Sequence, residues 1–441
     1  MVGARDRRAF RKSTAKLRDV LLFTVCSVLL LACDRSSGTS TAAAAPAAPA
    51  KYLYVFAGFG DHSHGLAGHA ADSTVPGDFL AVIDVDSSSP RYAQIVAHMT
   101  TGASAGMPHH TEMIMPDGGY PFVANAYMAN RSYLIDVSSP TAPTVAGRVD
   151  SVSGYELAHS FARLPNGDVI GTLQYSTTGE AGRPGAIARF ARDGKLLKVG
   201  SAADPAFPGG NMRTYSLDVS PVADRVLTTS VAMDPAETNS ADVIQLWRLS
   251  DLSLLRTLPL PPTTTDSTSR YPFEVRFLPD GRSALLNTNY CGFYLASGLD
   301  TDTPALESVL ALSHPRHVGC GVPLLIGRWW IMPIASTFEF VVYDVSNPRT
   351  PRRVGALHAD SSFVPHWISR DPGSDRLVFT AEGPEPAVRL ARFDTTSGAL
   401  RWDERFRERA GGPLGVSFNR EDWPGGVQGR TAPHGAIFSR Q

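Results

Sequence analysis

Cysteine is scarce in this 441-residue chain, which carries four, and that scarcity argues against a disulfide-dense scaffold or a paired-cysteine zinc motif. Long apolar runs are missing beyond residue 32, so no later segment is expected to span a bilayer as a helix. Basic tracts with interleaved aromatics, which counterion release on a polyanion requires, do not occur after the first nineteen residues, and nucleic acid is excluded as a partner. Helical periodicity is hard to find. No phosphate-cradling glycine loop or calcium loop stands in a fitting context. The one nucleophile-elbow match, Gly102 to Gly106, lies between expected strands, where elbow chemistry lacks its strand-to-helix turn.

The chain does have a marked N-terminus. Arg5, Arg7, Arg8, Arg11, Lys12, Lys16 and Arg18 precede an apolar run from Val20 to Ala32, the layout of an export signal. Thirteen helical residues reach about 20 Å, short of a bilayer core of about 30 Å, which disfavours a permanent span. The run ends Leu30-Leu31-Ala32-Cys33 and resembles the lipobox of bacterial lipoproteins, in which the cysteine becomes the acylated N-terminus. That resemblance makes Cys33 the lipid anchor; an ordinary secretory cleavage near Ala32 is the alternative. Residues 33–50, rich in Ser, Thr, Ala and Pro, are expected to form a flexible tether. Removing residues 1–32 takes away seven basic and two acidic groups, so the formal charge moves from −1 to −6. The expected location is the bacterial cell envelope, lipid-anchored and facing the periplasm or cell surface.

From residue 51 to 441, short Val, Ile, Leu, Phe and Tyr runs alternate with Gly, Pro, Asn and Asp turns, a pattern of sheets. One unit recurs: a first strand, a Pro-Asp/Asn-Gly turn, a second strand, a longer loop, a third strand ending in Asp, and a fourth. Its first half reads HTEMIMPDGGYPFVAN from His110, HSFARLPNGDVIGTL from His159 and FEVRFLPDGRSALLNT from Phe273, with further copies at Tyr215 and His366. A period of about 40–50 residues with four strands is a propeller blade. Six blades fit between 109 and 407. The three strands within Tyr52–Met99 and one at His434–Ser439 make a seventh if they pair. The expected fold is all-β, a seven-bladed propeller closed by pairing a C-terminal strand with the N-terminal blade, which hides its edges.

This repeat register turns histidines into candidate chemistry. The residue six before the turn proline begins the innermost strand of a blade and belongs at one mouth of the central channel. His110, His159 and His366 hold that position, His434 opens the C-terminal strand in the same Pro-His context, and the four fall on consecutive blades. His109 adjoins His110. Converging imidazoles are expected to bind a metal such as zinc, copper, iron or nickel; hydrogen-bonded channel fillers are the other reading. Glu112 shares the strand face of His110 and is either a carboxylate that orients an imidazole or an ordinary channel acid. Cys291 and Cys320 fall on neighbouring blades at the same face, as a disulfide, as a thiol meeting a soft metal or substrate, or as two separate buried thiols. Cys320 is the candidate for a catalytic thiol. His62, His64 and His69 lie in a glycine-rich loop that is either a lid or plain surface, and His314 and His317 are expected at the same end.

FLAVIDVDSSSPRYAQIV from Phe79, MPHHTEMIMPDGG from Met107 and AHSFARLPNGDVIGTL from Ala158 resemble the selenium-binding protein and methanethiol oxidase family. The resemblance is best over residues 52–175, with Pro365-His366-Trp367 as later support. It implies a seven-bladed propeller with a histidine-lined metal site, copper in bacterial members, that oxidises methanethiol to formaldehyde, hydrogen sulfide and hydrogen peroxide. Copper, with iron as the alternative, a small thiol and oxygen are therefore the expected cofactor and substrates. The selenium-linked cysteine of that family matches no single position here. YLIDVSSPTAPTVAG from Tyr133 and VVYDVSNPRTPRRVGAL from Val341 resemble the LVIVD-type repeats of exported bacterial propellers, which implies the rival reading, a non-catalytic binding scaffold of the cell envelope.

Overall fold

Seven antiparallel sheets follow one another along the chain in the computed structural model, which describes residues 48–59, 77–103, 106–150, 152–178, 182–208, 210–233, 241–262, 271–311, 319–420, 423 and 431–440. These residues belong to the unit Pro46–Gln441. The signal segment, Cys33 and the histidines at 62, 64, 69, 314 and 317 lie outside the described residues. Among the described residues no helix is long and apolar enough to cross a membrane.

From the channel outward, blade 1 consists of Thr431–Phe438, Tyr52–Phe59, Phe79–Asp84 and Ile95–Thr100; blade 2 of Pro108–Thr111, Phe122–Ala126, Arg131–Asp136 and Thr144–Arg148; and blade 3 of Tyr155–Arg163, Val169–Ser176, Ala186–Phe190 and Leu196–Ser201. Blades 4 to 7 repeat this order from Thr214–Ser220, Pro272–Phe277, Leu324–Ile326 and Val364–Arg370, and blade 7 adds a short outlying strand, Val416–Ser417. The ring closes in blade 1, where Leu53 pairs with Phe438 and Phe59 with Thr431.

The repeated letters have local causes. Each Pro-Asp/Asn-Gly turn needs a left-handed residue, which Gly118, Gly167 and Gly281 supply at φ of 73°, 87° and 62°. Where the third strand ends in aspartate, as in blades 2, 6 and 7, that carboxylate accepts the amide two residues on: Asp136 from Ser138 at 2.8 Å, Asp344 from Ser346 at 3.0 Å, Asp394 from Thr396 at 2.8 Å. That self-made turn is why Asp-Val-Ser and its variants recur. Alternation along the strands gives each sheet two apolar faces, and neighbouring blades share them. Tyr54, Phe56 and Val82 of blade 1 pack on Phe122, Tyr133 and Ile135 of blade 2, while Val55, Ala81 and Phe438 on the other face meet Trp367, Val378 and Leu390 of blade 7.

Ala50, which composition places at the end of the tether, is buried instead. Its amide donates to the Asp371 carboxylate at 3.2 Å and its carbonyl accepts from Arg376 at 2.6 Å. Arg376 also pairs with Asp371 at 2.6 Å and donates to the Val85 carbonyl. Blade 7 thereby latches the N-terminal strand to the ring.

Candidate metal centre

His109, His110, His159 and His434 lie between 0 and 4% exposed at the channel axis, with His366 half-buried beside them. Sequence register places them at a mouth; the structure places them below the surface. Tyr215 packs on His159 at 3.9 Å between ring centroids, Trp367 on His110 at 5.0 Å and Tyr127 on His109 at 5.9 Å. Closure needs Gly435, where an added Cβ would lie 2.5 Å from the Thr111 amide and 2.7 Å from the His109 carbonyl. Only a glycine lets the C-terminal strand run this close to the two histidines.

His109 is the hub. Its Nδ1 lies 2.8 Å from Nε2 of His434 and its Nε2 lies 2.9 Å from Nε2 of His159. The His110 ring stacks on it at 4.1 Å, and His366 packs against His434 at 4.2 Å. His159 Nδ1 reaches the Tyr215 carbonyl at 3.1 Å and Ser160 Oγ at 2.9 Å. A carbonyl only accepts, so a neutral His159 carries its proton on Nδ1 and turns a bare Nε2 toward His109. His109 then donates from Nε2 and accepts on Nδ1 from His434.

Burial holds two of these rings, His110 and His159, in the neutral form. It pushes His110 well below the usual histidine range, helped by the nearby His159, His434, His366 and Arg276. It lowers His159 to about 3, against the raising influence of the Tyr215 carbonyl. Neutral imidazoles are the form that binds a metal. One nitrogen of each of His109, His110 and His434 falls within 4.8 Å of the others, so these three form a group able to hold a metal ion. His110 Nε2 is buried with no hydrogen-bond partner, a donor atom the fold leaves to a ligand. The residues present therefore fit a metal with nitrogen ligands.

The other candidates are corrected. Cys320 is bonded to Cys291 and fully buried, so it offers no thiol for catalysis, contrary to the expectation from sequence. The bond forms because Cys320 enters blade 6 beside the loop carrying Cys291, where the Cys320 amide donates to the Asn289 carbonyl. Glu112 is engaged elsewhere: Arg163 donates to both of its oxygens at 2.9 and 2.7 Å, and the Val123 amide donates at 2.8 Å. It ties blade 2 to blade 3, the ordinary channel acid rather than the partner of an imidazole. Ser160 was not anticipated from sequence. Its Oγ stands between His159 Nδ1 and, at 3.4 Å, His110 Nδ1, and its place directly after a register histidine was the available signal.

No protein-family model matches the chain. Selenium-binding protein 2 of Mus musculus is 22% identical over 330 residues, 65% of this chain and 67% of the mouse protein. Methanethiol oxidase of Mus musculus is 22% identical over 329 residues, with the same shares covered. Among solved structures, a hypothetical selenium-binding protein from Sulfolobus tokodaii matches with a TM-score of 0.69 at 16% identity, over 89% of this chain and 94% of that one. The periplasmic gluconolactonase of Pseudomonas aeruginosa matches with a TM-score of 0.54 at 17% identity, over 88% and 99%. These two structural likenesses are of fold alone. The chain is a seven-bladed β-propeller with distant homology to the selenium-binding proteins and methanethiol oxidases.

Proposed function

We propose that the chain is an exported, lipid-anchored metal-dependent oxidase of small thiols, with copper, or alternatively iron, held by the channel histidines. The observation that carries this reading is the convergence of five imidazoles at the axis, with His110 Nε2 buried and unpartnered. His109, His110 and His434 would hold the ion, with His159 and His366 adjoining. A bound copper or iron supplies electron transfer between thiol and oxygen. For methanethiol the balanced change takes one thiol, one oxygen and one water to formaldehyde, hydrogen sulfide and hydrogen peroxide.

The chain's own part is to hold and shield. The Tyr215 carbonyl and Ser160 orient His159 from behind. Tyr215, Trp367 and Tyr127 cover the rings and limit what reaches them. The basic and apolar segment before Cys33 supports export and anchoring in the cell envelope.

A second reading has one observation in its favour. Both nitrogens of His109 face other imidazoles at hydrogen-bond distance, as in a channel filled by a hydrogen-bonded cluster in a binding scaffold. The separating measurement is metal content by mass spectrometry on a soluble form beginning at Ser36, folded with copper and iron supplied, beside the double variant His110→Ala/His159→Ala. About one copper or iron per chain, lost in the variant, followed by peroxide release on thiols, supports the oxidase. Absence of stoichiometric metal in the unaltered protein refutes it and leaves the scaffold.

A further inference from the structure

The innermost strands do not end at the histidines. Further along the channel they line a cavity of about 290 Å³, whose inner wall includes His110. Methanethiol, with two heavy atoms, would fill a small part of this space, which approaches the roughly 300–1,000 Å³ of ordinary small-molecule sites. Met113, Val322 and Trp367 give the cavity an apolar side. Its other side is charged, and unevenly so.

Glu112 and Arg163 neutralise each other there. Glu274 and Arg276 pair at 2.9 Å through Glu274 Oε2, which also accepts from Ser216 Oγ at 2.7 Å. Arg276 turns its other nitrogen to Met113 Sδ at 3.4 Å. Asp218 accepts only backbone amides, those of Val219 at 2.8 Å and Phe277 at 2.7 Å. Glu274 Oε1 is left buried with no hydrogen-bond partner, on a side chain whose residue is 2% exposed. Three acids thus face two arginines across the cavity. A buried acceptor without a donor carries a desolvation cost that a ligand donor removes. Burial raises the Asp218 and Glu274 carboxyls above their ordinary values against the pull of Arg276, in keeping with an acid excess lacking a cation.

We infer that this cavity binds an aminothiol, with its ammonium on Glu274 Oε1 and its sulfur toward His110, and that such compounds rather than methanethiol are the favoured substrate class. The sulfur end rests on the proposed thiol oxidation; the ammonium end rests on Glu274 and the cavity alone.

The test uses metal-free soluble protein with a chelator present, so that binding is read without activity. Calorimetric titration compares cysteamine with 1-propanethiol, which has the same length and replaces the ammonium by a methyl. The expected result is at least tenfold tighter binding of cysteamine, with that preference lost in Glu274→Gln. Asp218→Asn provides a second acid removal, expected to weaken cysteamine and leave 1-propanethiol unchanged. Equal binding of the two thiols by the unaltered protein, no binding of either, or a cysteamine preference that survives in folded Glu274→Gln overturns the inference. Metal analysis remains a separate matter: a protein lacking copper and iron that still prefers cysteamine keeps this site and loses only the oxidase reading.

Discussion

Lowering the pH should unfold the metal-free protein through its buried histidines, and His159 sets the size of the effect. Its folded pKa of about 3 lies below the ordinary 6.5 because burial disfavours the charged ring. The unfolded chain therefore takes up a proton that the folded chain refuses. Stability from this group is fully present above pH 6.5 and is lost as pH falls from 6.5 toward 3. At about 1.36 kcal/mol per pH unit, the loss from His159 alone is about 2 kcal/mol at pH 5. His110 adds in the same direction. Urea unfolding of chelated protein at pH 7 and pH 5, for the unaltered chain and for His159→Gln, isolates the contribution. Carboxylates titrate in both proteins and cancel in the difference. The pH-linked loss should be smaller in His159→Gln by about 2 kcal/mol. A difference under about 0.5 kcal/mol would show that His159 is not held neutral by burial.

Three further outcomes are expected. Arg376→Ala leaves the fully buried Asp371 carboxylate without its cation and should cost about 3–5 kcal/mol in urea unfolding, with faster amide exchange in Tyr52–Phe59 because the latch on Ala50 and Val85 is gone. Replacing both Cys291 and Cys320 by Ala opens a loop with a sequence separation of 29, for which chain entropy gives about 3.6 kcal/mol; a thermal midpoint lower by a few degrees, with metal content unchanged, would agree with a structural bond. Gly435→Ala forces the C-terminal strand away from the backbone of His109 and His110, and metal content should fall in protein that keeps its β-sheet circular dichroism signal.

Much of the fold was legible because its determinants are local and repeated. Turn glycines, strand-ending aspartates and alternating apolar residues each act within a few positions, so their recurrence in several blades exposes them. The histidines were legible through that same register, since equivalent positions of the innermost strands meet at one axis; they sit below the mouth because those strands begin two to four residues before His110, His159, His366 and His434. The role of Glu112 stayed open between two readings because strand periodicity gives the face of a residue and not its neighbour: Arg163 is 51 positions away and belongs to the next blade. Ala50 was misjudged because its small side chain gives no signal of burial; its place is decided by backbone bonds to Asp371 and Arg376, more than 320 residues distant.

By itself, then, the sequence determined the repeat, the closure by a C-terminal strand and the residues that converge, because these follow from short-range geometry copied around a ring. Tertiary structure alone decided that His109 is the hub, that Cys291 and Cys320 are joined, that the centre is covered and that an unbalanced acidic cavity lies beyond it. Each of those depends on which side chains of different blades come within a few ångströms, and that is set by packing across the channel, where no local pattern reaches.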